Sequence, residues 1–276
     1  FMSDDAPTAH SSMASSDSGQ IWFLTPAVLV ALSAAWWLDL LPRLKQGNLI
    51  NTEPLPEGSR RVELSHAPTR YIIEGGDNAG FLVVLVHGFM GSSEAMRGLS
   101  QELVQRGRRV LRFDNYGRGH SGCDGSPHTA AYFSGQIAEL LFALGEEKPV
   151  DLVGYSMGGA ICAKYAATFG AARVHSFVAI APAGFITVPL PPGVSYIVQI
   201  PVVAELIAKG MTKPAGLTGR GEWEDPANSA HFAPFAAAQE HRGRHEPALS
   251  RSILLTLQHF PMGEAGEHLW AAVGRG

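Results

Sequence analysis

The 276-residue sequence has few charged residues, only two cysteines and no excess of positive charge. Charged residues make up 17% and hydrophobic residues 46%, a balance that is too apolar for a disordered chain. Cys123 and Cys162 are too few for a disulfide framework and lack the spacing of a zinc site. The formal net charge of -4 gives no indication of a nucleic-acid partner. What remains is a globular chain of enzyme size.

The N-terminal part combines a polar leader with an uncharged apolar run. Residues 1–20 are rich in Ser, Ala and Asp without apolar periodicity, and we expect a disordered leader. From Ile21 to Leu38 no residue is charged, so residues 21–42 predict a transmembrane or signal-anchor helix. Basic residues follow the run, which predicts a membrane-associated protein with its downstream domain on the cytoplasmic side. A signal peptide and a helix packed on the domain are the alternatives.

Strand and helix patterns alternate after a linker over residues 43–60. The uninterrupted apolar run from Phe81 to Val86 is typical of a strand buried on both faces. This alternation predicts an α/β fold, a mostly parallel sheet with helices on both faces, whose core spans residues 61–183. The other predicted strands lie at 61–64, 70–73, 110–113, 150–153 and 174–181, and the predicted helices begin at Ser92 or Ser93 and span 129–144 and 157–168.

The alternation ends near Pro182. Residues 184–262 read as helices and loops, which predicts a helical cap over the sheet, and residues 263–276 read as the beginning of a return to the core. Because the chain begins with Phe1 and stops after a helix-like segment, we expect its last strands to be lacking. The chain is then either a truncated product of a longer gene or a natural short form.

The segment Gly154-Tyr155-Ser156-Met157-Gly158 has the pattern G-x-S-x-G between a predicted strand and a predicted helix. A nucleophilic serine has to project from a sharp turn, and neighbouring side chains would collide with the backbone there. Gly154 and Gly158 meet this demand. The start of the following helix also favours negative charge near the hydroxyl. Ser156 is therefore the candidate nucleophile.

A second motif, His87-Gly88-Phe89-Met90-Gly91, follows the apolar run that ends at Val86. A tetrahedral intermediate needs two fixed amide donors, and a loop at this place in the chain supplies one of them. The predicted oxyanion donors are the backbone N–H groups of Phe89 and Met157, with His87 and Gly88 as supporting residues. Taken alone, His87-Gly88 would be an ordinary polar turn.

These motifs resemble the α/β-hydrolase superfamily, in particular capped esterases, monoacylglycerol lipases and carbon–carbon bond hydrolases that act on meta-cleavage products. The resemblance covers approximately Arg61 to Gly276 and includes Asp114 to Ser121 and Ala181 to Gly184. It implies a serine hydrolase of small-molecule or lipid esters, without cofactor or metal. Epoxide hydrolases and haloalkane dehalogenases carry aspartate at the position of Ser156.

Two alternative interpretations concern the site. Gly117 to Gly122 formally matches the dinucleotide pattern G-x-G-x-x-G, but Cys123 to Pro127 continue the loop instead of opening a helix. We interpret Asp114 as an organiser of this loop. A triad acid and histidine are not found beyond Ala181, because Asp225 and the later histidines fall in or beside the cap.

Two other functions stay open. A carbon–carbon bond hydrolase of the meta-cleavage type would use the same nucleophile in a different pocket. A membrane-tethered protein could keep the fold and bind ligand without turnover, since a serine without its base is a weak nucleophile.

Overall fold

The computed structural model describes residues 28, 30, 31, 33, 34, 54–76, 80–184, 247–262 and 267–273. The chain divides into two compact units, Phe1–Arg43 and Leu44–Gly276. The five described residues of the first unit are helical. The predicted leader, and the predicted cap from residue 185 to residue 246, lie outside the described residues.

The prediction of a membrane anchor is wrong. Over the ranges described above, the structure contains no helix with both the length and the apolar character that crossing a bilayer requires. Within 21–42 the description is confined to five residues. An uncharged run meets the hydropathy criterion by composition alone, whereas a span also requires about 20 residues of continuous helix. The membrane-associated localisation and the cytoplasmic orientation depended on this anchor and fall with it.

In the described part of the chain, six strands form a single mixed sheet. Their order across the sheet is β1-β2-β4-β3-β5-β6. Pairing is antiparallel between β1 and β2 and between β2 and β4, and it is parallel for the remaining three neighbours. The mostly parallel sheet predicted from the sequence is confirmed. The strands are β1 (Arg60–Glu63), β2 (Pro68–Glu74), β3 (Val83–Val86), β4 (Val110–Phe113), β5 (Val150–Tyr155) and β6 (Val174–Ile180).

The helices follow the strands in the expected alternation. The helix that follows β4 begins at a side-chain cap: the Thr129 hydroxyl accepts a hydrogen bond from the Tyr132 N–H at 3.1 Å. Ser92 caps a short 3-10 turn, Ser93–Met96, that leads into the first helix. The helices in the described ranges are α1 (Arg97–Gln105), α2 (Ala130–Ala143), α3 (Met157–Phe169), α4 (Pro247–His259) and α5 (Glu267–Val273).

The two faces of β3 bury alternate residues against different helices. Val83 and Leu85 belong to an apolar cluster that includes Leu99 and Leu103 of α1. Val84 and Val86, on the other face, belong to the larger cluster that includes the apolar side chains of α2 and α3. Each fully buried aliphatic side chain stabilises the fold by roughly 2 kcal/mol. Helices therefore cover both faces of the central strands.

The strand order places a topological switch point at the carboxyl ends of β3 and β5. Because β4 lies on one side of β3 and β5 on the other, the chain leaves these two strands toward opposite faces of the sheet. Loops that diverge in this way leave a gap outside the strand ends, and ligands of open α/β sheets bind in such gaps. The residues directly after β3 and β5 are His87 and Ser156.

Candidate active site

Ser156 has a strained backbone at the junction of β5 and α3. Its φ of 53° and ψ of -120° lie in a region that residues other than glycine rarely adopt. Three hydrogen bonds hold this conformation. The Ser156 N–H donates to the Ile180 carbonyl at 2.9 Å, and the Ser156 carbonyl accepts from the N–H groups of Gly159 at 2.9 Å and Ala183 at 3.0 Å. The half-buried serine is therefore fixed by its own backbone.

The glycines around Ser156 are required by close backbone contacts. A Cβ atom at Gly158 would overlap the Val86 carbonyl and lie 2.8 Å from the His87 carbonyl oxygen. A Cβ at Gly154 would lie 2.6 Å from the Cα of Gly159. Real Cβ atoms do not approach other atoms so closely, so a side chain at either position would force the turn open.

The loop after β3 is in direct contact with this turn. A Cβ added to Gly88 would meet the Ser156 Cβ at 3.1 Å, which leaves no room for a side chain between them. Gly88 is buried, and Phe89 and Met90 are half-buried. The structure therefore brings together the two segments that the sequence pointed to separately.

His87 supports the loop from inside the protein. Its Nε2 atom accepts a hydrogen bond from the Asn115 N–H at 3.0 Å, so the proton of the neutral ring is on Nδ1. Nδ1 lies 2.8 Å from the Gly88 carbonyl oxygen and donates to it. Burial lowers the pKa of His87 to about 4, which keeps the ring neutral at physiological pH. In this geometry His87 stabilises the loop through its two ring hydrogen bonds and does not transfer a proton.

The Gly88–Phe89 peptide plane is held in one orientation. The Gly88 carbonyl accepts hydrogen bonds from the His87 ring and from the Gly91 N–H, the latter at 3.1 Å. In a trans peptide the N–H points opposite to the carbonyl, so the Phe89 N–H is directed away from both donors. Met157 is the first residue of α3, and its N–H therefore has no acceptor within the helix. Two backbone amides of this kind are suited to stabilising a developing oxyanion.

The glycine-rich segment after β4 encloses a buried carboxylate. Asp114 accepts hydrogen bonds from the N–H groups of Ser93 at 2.7 Å and His120 at 2.8 Å, and it lies 3.5 Å from Nη1 of Arg70. Burial alone would raise the pKa of Asp114, but the Arg70 charge and these hydrogen bonds outweigh it and lower the pKa. A side chain at Gly119 would overlap this carboxylate. The geometry supports the interpretation of Asp114 as a loop organiser, and the next helix begins only at Ala130.

The structure does not bring a triad partner to Ser156 within the residues it describes. His259 lies in the last turn of α4 and His268 lies exposed in α5, and neither hydrogen-bonds to the Ser156 hydroxyl. In the same ranges no three His, Cys, Asp or Glu side chains come close enough to hold a metal ion. Asp225 and three of the histidines that we assigned to the cap region rather than to a triad, His231, His241 and His245, lie outside the described residues.

Arg118 is the residue of this region that sequence reasoning overlooked. Its Nε donates to the Phe89 carbonyl oxygen at 2.7 Å, and the side chain is fully buried. The sequence gives little indication of this role, since Arg118 lies between Gly117 and Gly119, and neither glycine has a side chain that could bury it. Its partners on α4 are more than 130 positions away, at separations of 134 and 138 residues, and no local pattern indicates them.

Comparison with known proteins agrees with the fold. The sequence profile of the alpha/beta hydrolase fold matches residues 82–217. A non-heme haloperoxidase of Rhodococcus erythropolis is 35% identical over 102 residues, which is 37% of each chain. A putative 2-succinyl-6-hydroxy-2,4-cyclohexadiene-1-carboxylate synthase of Bacillus subtilis is 29% identical over 114 residues, 41% of this chain and 40% of that protein. The matched region thus spans less than half of these curated relatives.

Solved structures share the architecture over a longer range. A probable hydrolytic enzyme of Pseudomonas aeruginosa superimposes with a TM-score of 0.58 at 19% identity and covers 75% of this chain and 68% of that one. An esterase of a Rhodococcus species gives a TM-score of 0.54 at 20% identity, over 78% and 87% of the two chains. Likeness at this identity concerns the fold. The sequence profile, the strand order and the structural neighbours agree that the chain has the α/β-hydrolase fold.

Proposed function

We propose that this chain carries the acylation site of a serine hydrolase that acts on carboxylic esters, including lipid acyl esters. Ser156 attacks the ester carbonyl, the carbonyl oxygen becomes an oxyanion, and the N–H groups of Phe89 and Met157 stabilise it. His87, Gly88, Gly154 and Gly158 support this geometry. An acyl-enzyme forms on Ser156 with departure of the alcohol, and water then releases the acid.

One observation carries the proposal. Ser156 is held at a positive φ in contact with the Gly88 loop, and such strain persists only where the surroundings impose it. Strained residues of this kind cluster at active sites. Efficient attack also needs a general base near the hydroxyl. The residues to which we assign roles are the nucleophile Ser156 and the two amide donors, Phe89 and Met157.

Apolar side chains beside the turn support an ester with a hydrophobic acyl group. Phe89 and Met90 pack against Leu249, Ile253 and Leu254 of α4. Tyr155 precedes Ser156 in the chain, and the Ile180 carbonyl accepts a hydrogen bond from the Ser156 N–H. Both are large hydrophobic residues, with 45% and 39% exposure. Apolar surface next to a few polar donors is typical of small-molecule sites.

Labelling with a fluorophosphonate probe tests the nucleophile. We expect the full-length protein to be labelled, the Ser156→Ala variant to be unlabelled and a Ser126→Ala variant to be labelled like wild type. Ser126 is a matched control because it lies in a loop and bonds only locally to Asp124. Labelling that persists in Ser156→Ala would refute the assignment, as would an unlabelled wild-type protein that is correctly folded.

Substrate profiling tests the substrate class. Across p-nitrophenyl acetate, butyrate and octanoate we expect kcat/KM to rise about tenfold or more, because each buried methylene contributes up to about 0.8 kcal/mol. Vinylogous diketo acids should be poor substrates, whereas preference for them would favour carbon–carbon bond hydrolysis. Three of the curated relatives are named as haloperoxidases or chloroperoxidases, so bromide and hydrogen peroxide with an organic acceptor form a further arm of the assay.

A further inference from the structure

Hydrogen bonds fix the peptide groups before and after Phe89, and the second of these bonds comes from a side chain of another loop. The peptide before Phe89 is fixed through the Gly88 carbonyl by His87 and Gly91. The peptide after Phe89 is fixed because its carbonyl accepts a hydrogen bond from Nε of Arg118 at 2.7 Å. With both neighbouring peptide planes held, the direction of the Phe89 N–H is determined.

The Arg118 guanidinium is itself held by helix α4. Nη2 donates to the Thr256 hydroxyl at 3.0 Å, and Nη1 donates to the Ser252 hydroxyl and to the Gly117 carbonyl at 3.3 Å. The side chain is fully buried, and its charge lies 5.4 Å from the centre of the Phe89 ring. A planar group with donors on three sides can join Phe89 and α4 at once, whereas an ammonium group cannot match these directions.

Helix α4 also contacts the same loop through apolar side chains. Leu249, Ile253 and Leu254 form a small buried cluster to which Phe89 and Met90 are added. Near Gly117 the fit is so close that a side chain there would overlap Ser252. The position of α4 is therefore coupled to the loop by packing and by the guanidinium.

From these contacts we propose that Arg118 is a positioning residue that orients the Phe89 N–H toward the oxyanion and couples its orientation to helix α4. The inference rests on the function proposed for Ser156. Arg118 touches neither the nucleophile nor the substrate carbonyl in this mechanism, and it acts through the Phe89 peptide.

The first experiment measures inactivation by a fluorophosphonate in wild type, Arg118→Lys and Thr256→Val. Misplacing one oxyanion donor lowers the rate of attack more than initial binding, so in Arg118→Lys we expect the maximal inactivation rate to fall about tenfold or more and KI to change less than about twofold. Thr256→Val leaves the hydrogen bond from Arg118 to the Phe89 carbonyl in place, and its maximal inactivation rate should fall about threefold. Arg106→Lys is the matched control, because Arg106 is exposed and pairs with Glu102 on the surface of α1.

Two results would overturn the proposal. An inactivation rate in Arg118→Lys equal to wild type would show that Arg118 does not orient the donor. A smaller labelled fraction with an unchanged rate constant would show that Arg118 only helps the protein to fold.

Hydrogen exchange keeps the test independent of labelling. In Arg118→Lys we expect faster exchange at residues 87–91 and 247–259 and unchanged exchange in β3 and β5. Unchanged exchange in both segments, or faster exchange throughout the sheet, would contradict a specific link between Arg118 and the loop. If the folded wild-type protein is not labelled at all, the proposed function fails, and the exchange result alone decides whether Arg118 couples the loop to α4.

Discussion

At the scale of single residues, the site depends on backbone conformations that cost free energy. Two described residues other than glycine have positive φ, Ser156 at 53° and Ala181 at 41°. They are neighbours in space, since Ile180, directly before Ala181, and Ala183, two residues after it, hydrogen-bond to the Ser156 backbone. The strained turn and the loop that closes over it hold one another in place.

Replacing Ser156 by glycine should stabilise the protein. Glycine adopts positive φ without strain, and relief of a strain worth about 1–3 kcal/mol exceeds its entropic cost of about 0.5–1 kcal/mol. We therefore expect the free energy of unfolding, measured by urea denaturation, to rise by about 1 kcal/mol. The control is Ala131→Gly on the exposed side of α2, which should lower it by about 1 kcal/mol. A Ser156→Gly protein less stable than wild type would contradict the strain.

His87 should make the protein less stable in mild acid. Its pKa is about 4 in the folded protein against an ordinary 6.5, so between these values the unfolded chain binds more protons than the native one. Its contribution is complete above about pH 6.5 and is lost as the pH falls toward 4. Burial shifts the pKa of His128 in the same direction, and the lowered pKa values of the buried carboxylates add losses at lower pH.

The His87→Gln variant measures this contribution. Between about pH 7 and pH 4.5 its free energy of unfolding should fall by about 2 kcal/mol less than that of wild type, because one shifted proton equilibrium is removed. The exposed Arg106→Lys variant, which keeps its charge, serves as the control and should keep the wild-type dependence. Equal pH dependence in His87→Gln and wild type would show that His87 is not buried and neutral.

At the scale of elements, the sequence predicted the strands and helices whose ends are set by neighbouring residues. The strand Val110–Phe113 was predicted to the residue, and the helix Ala130–Ala143 was predicted to within one residue at each end because Thr129 signals its cap. Phe81 was assigned to β3, but the strand begins at Val83. The Phe81 ring instead stacks on the His175 ring, with 3.9 Å between the ring centroids. That contact joins residues far apart in the chain, as do the contacts of Arg118. Neither could be predicted from neighbouring residues.

Two glycines in neighbouring helices should respond to alanine in opposite ways. Gly158→Ala at the start of α3 drives a methyl group into the Val86 carbonyl, and we expect a loss of about 3 kcal/mol or more, or no folded protein. Gly135→Ala in α2 meets nothing within 4 Å and should raise the free energy of unfolding by about 0.5–1 kcal/mol. The denaturation midpoints of the two variants, compared with wild type, show whether stability falls in Gly158→Ala and rises in Gly135→Ala. A stable Gly158→Ala protein would mean that the turn is not packed against β3.

At the scale of the whole molecule, protection from solvent decreases from the centre of the sheet to its edge at β6. Every residue of β3 and β4 is buried, whereas most residues of β6 are exposed, including Val178 at 51%. Local opening follows such differences in burial. The loop after β3 and the turn at Ser156 both begin at strands of the protected centre, which gives the candidate site a rigid base.

Native-state hydrogen exchange should reproduce this gradient. We expect the slowest exchange in β3, β4 and the buried part of β5, and exchange in β6 that is faster by about tenfold or more, because its outer residues open without global unfolding. Exchange can be followed by mass spectrometry on peptides that cover each strand. Equal protection of β6 and β4 would contradict a gradient set by burial.

Because Gly154 and Gly158 are closely packed, we expect both glycines to persist even in a protein that has lost the activity proposed for Ser156. In a saturation library selected only for folded, well-expressed protein, both glycine codons should persist, because any larger residue collides with backbone atoms. The serine codon between them is under the opposite pressure and should drift toward glycine once turnover is no longer selected. A descendant that has lost its chemistry would therefore still carry both glycines, and its middle residue would reveal the loss.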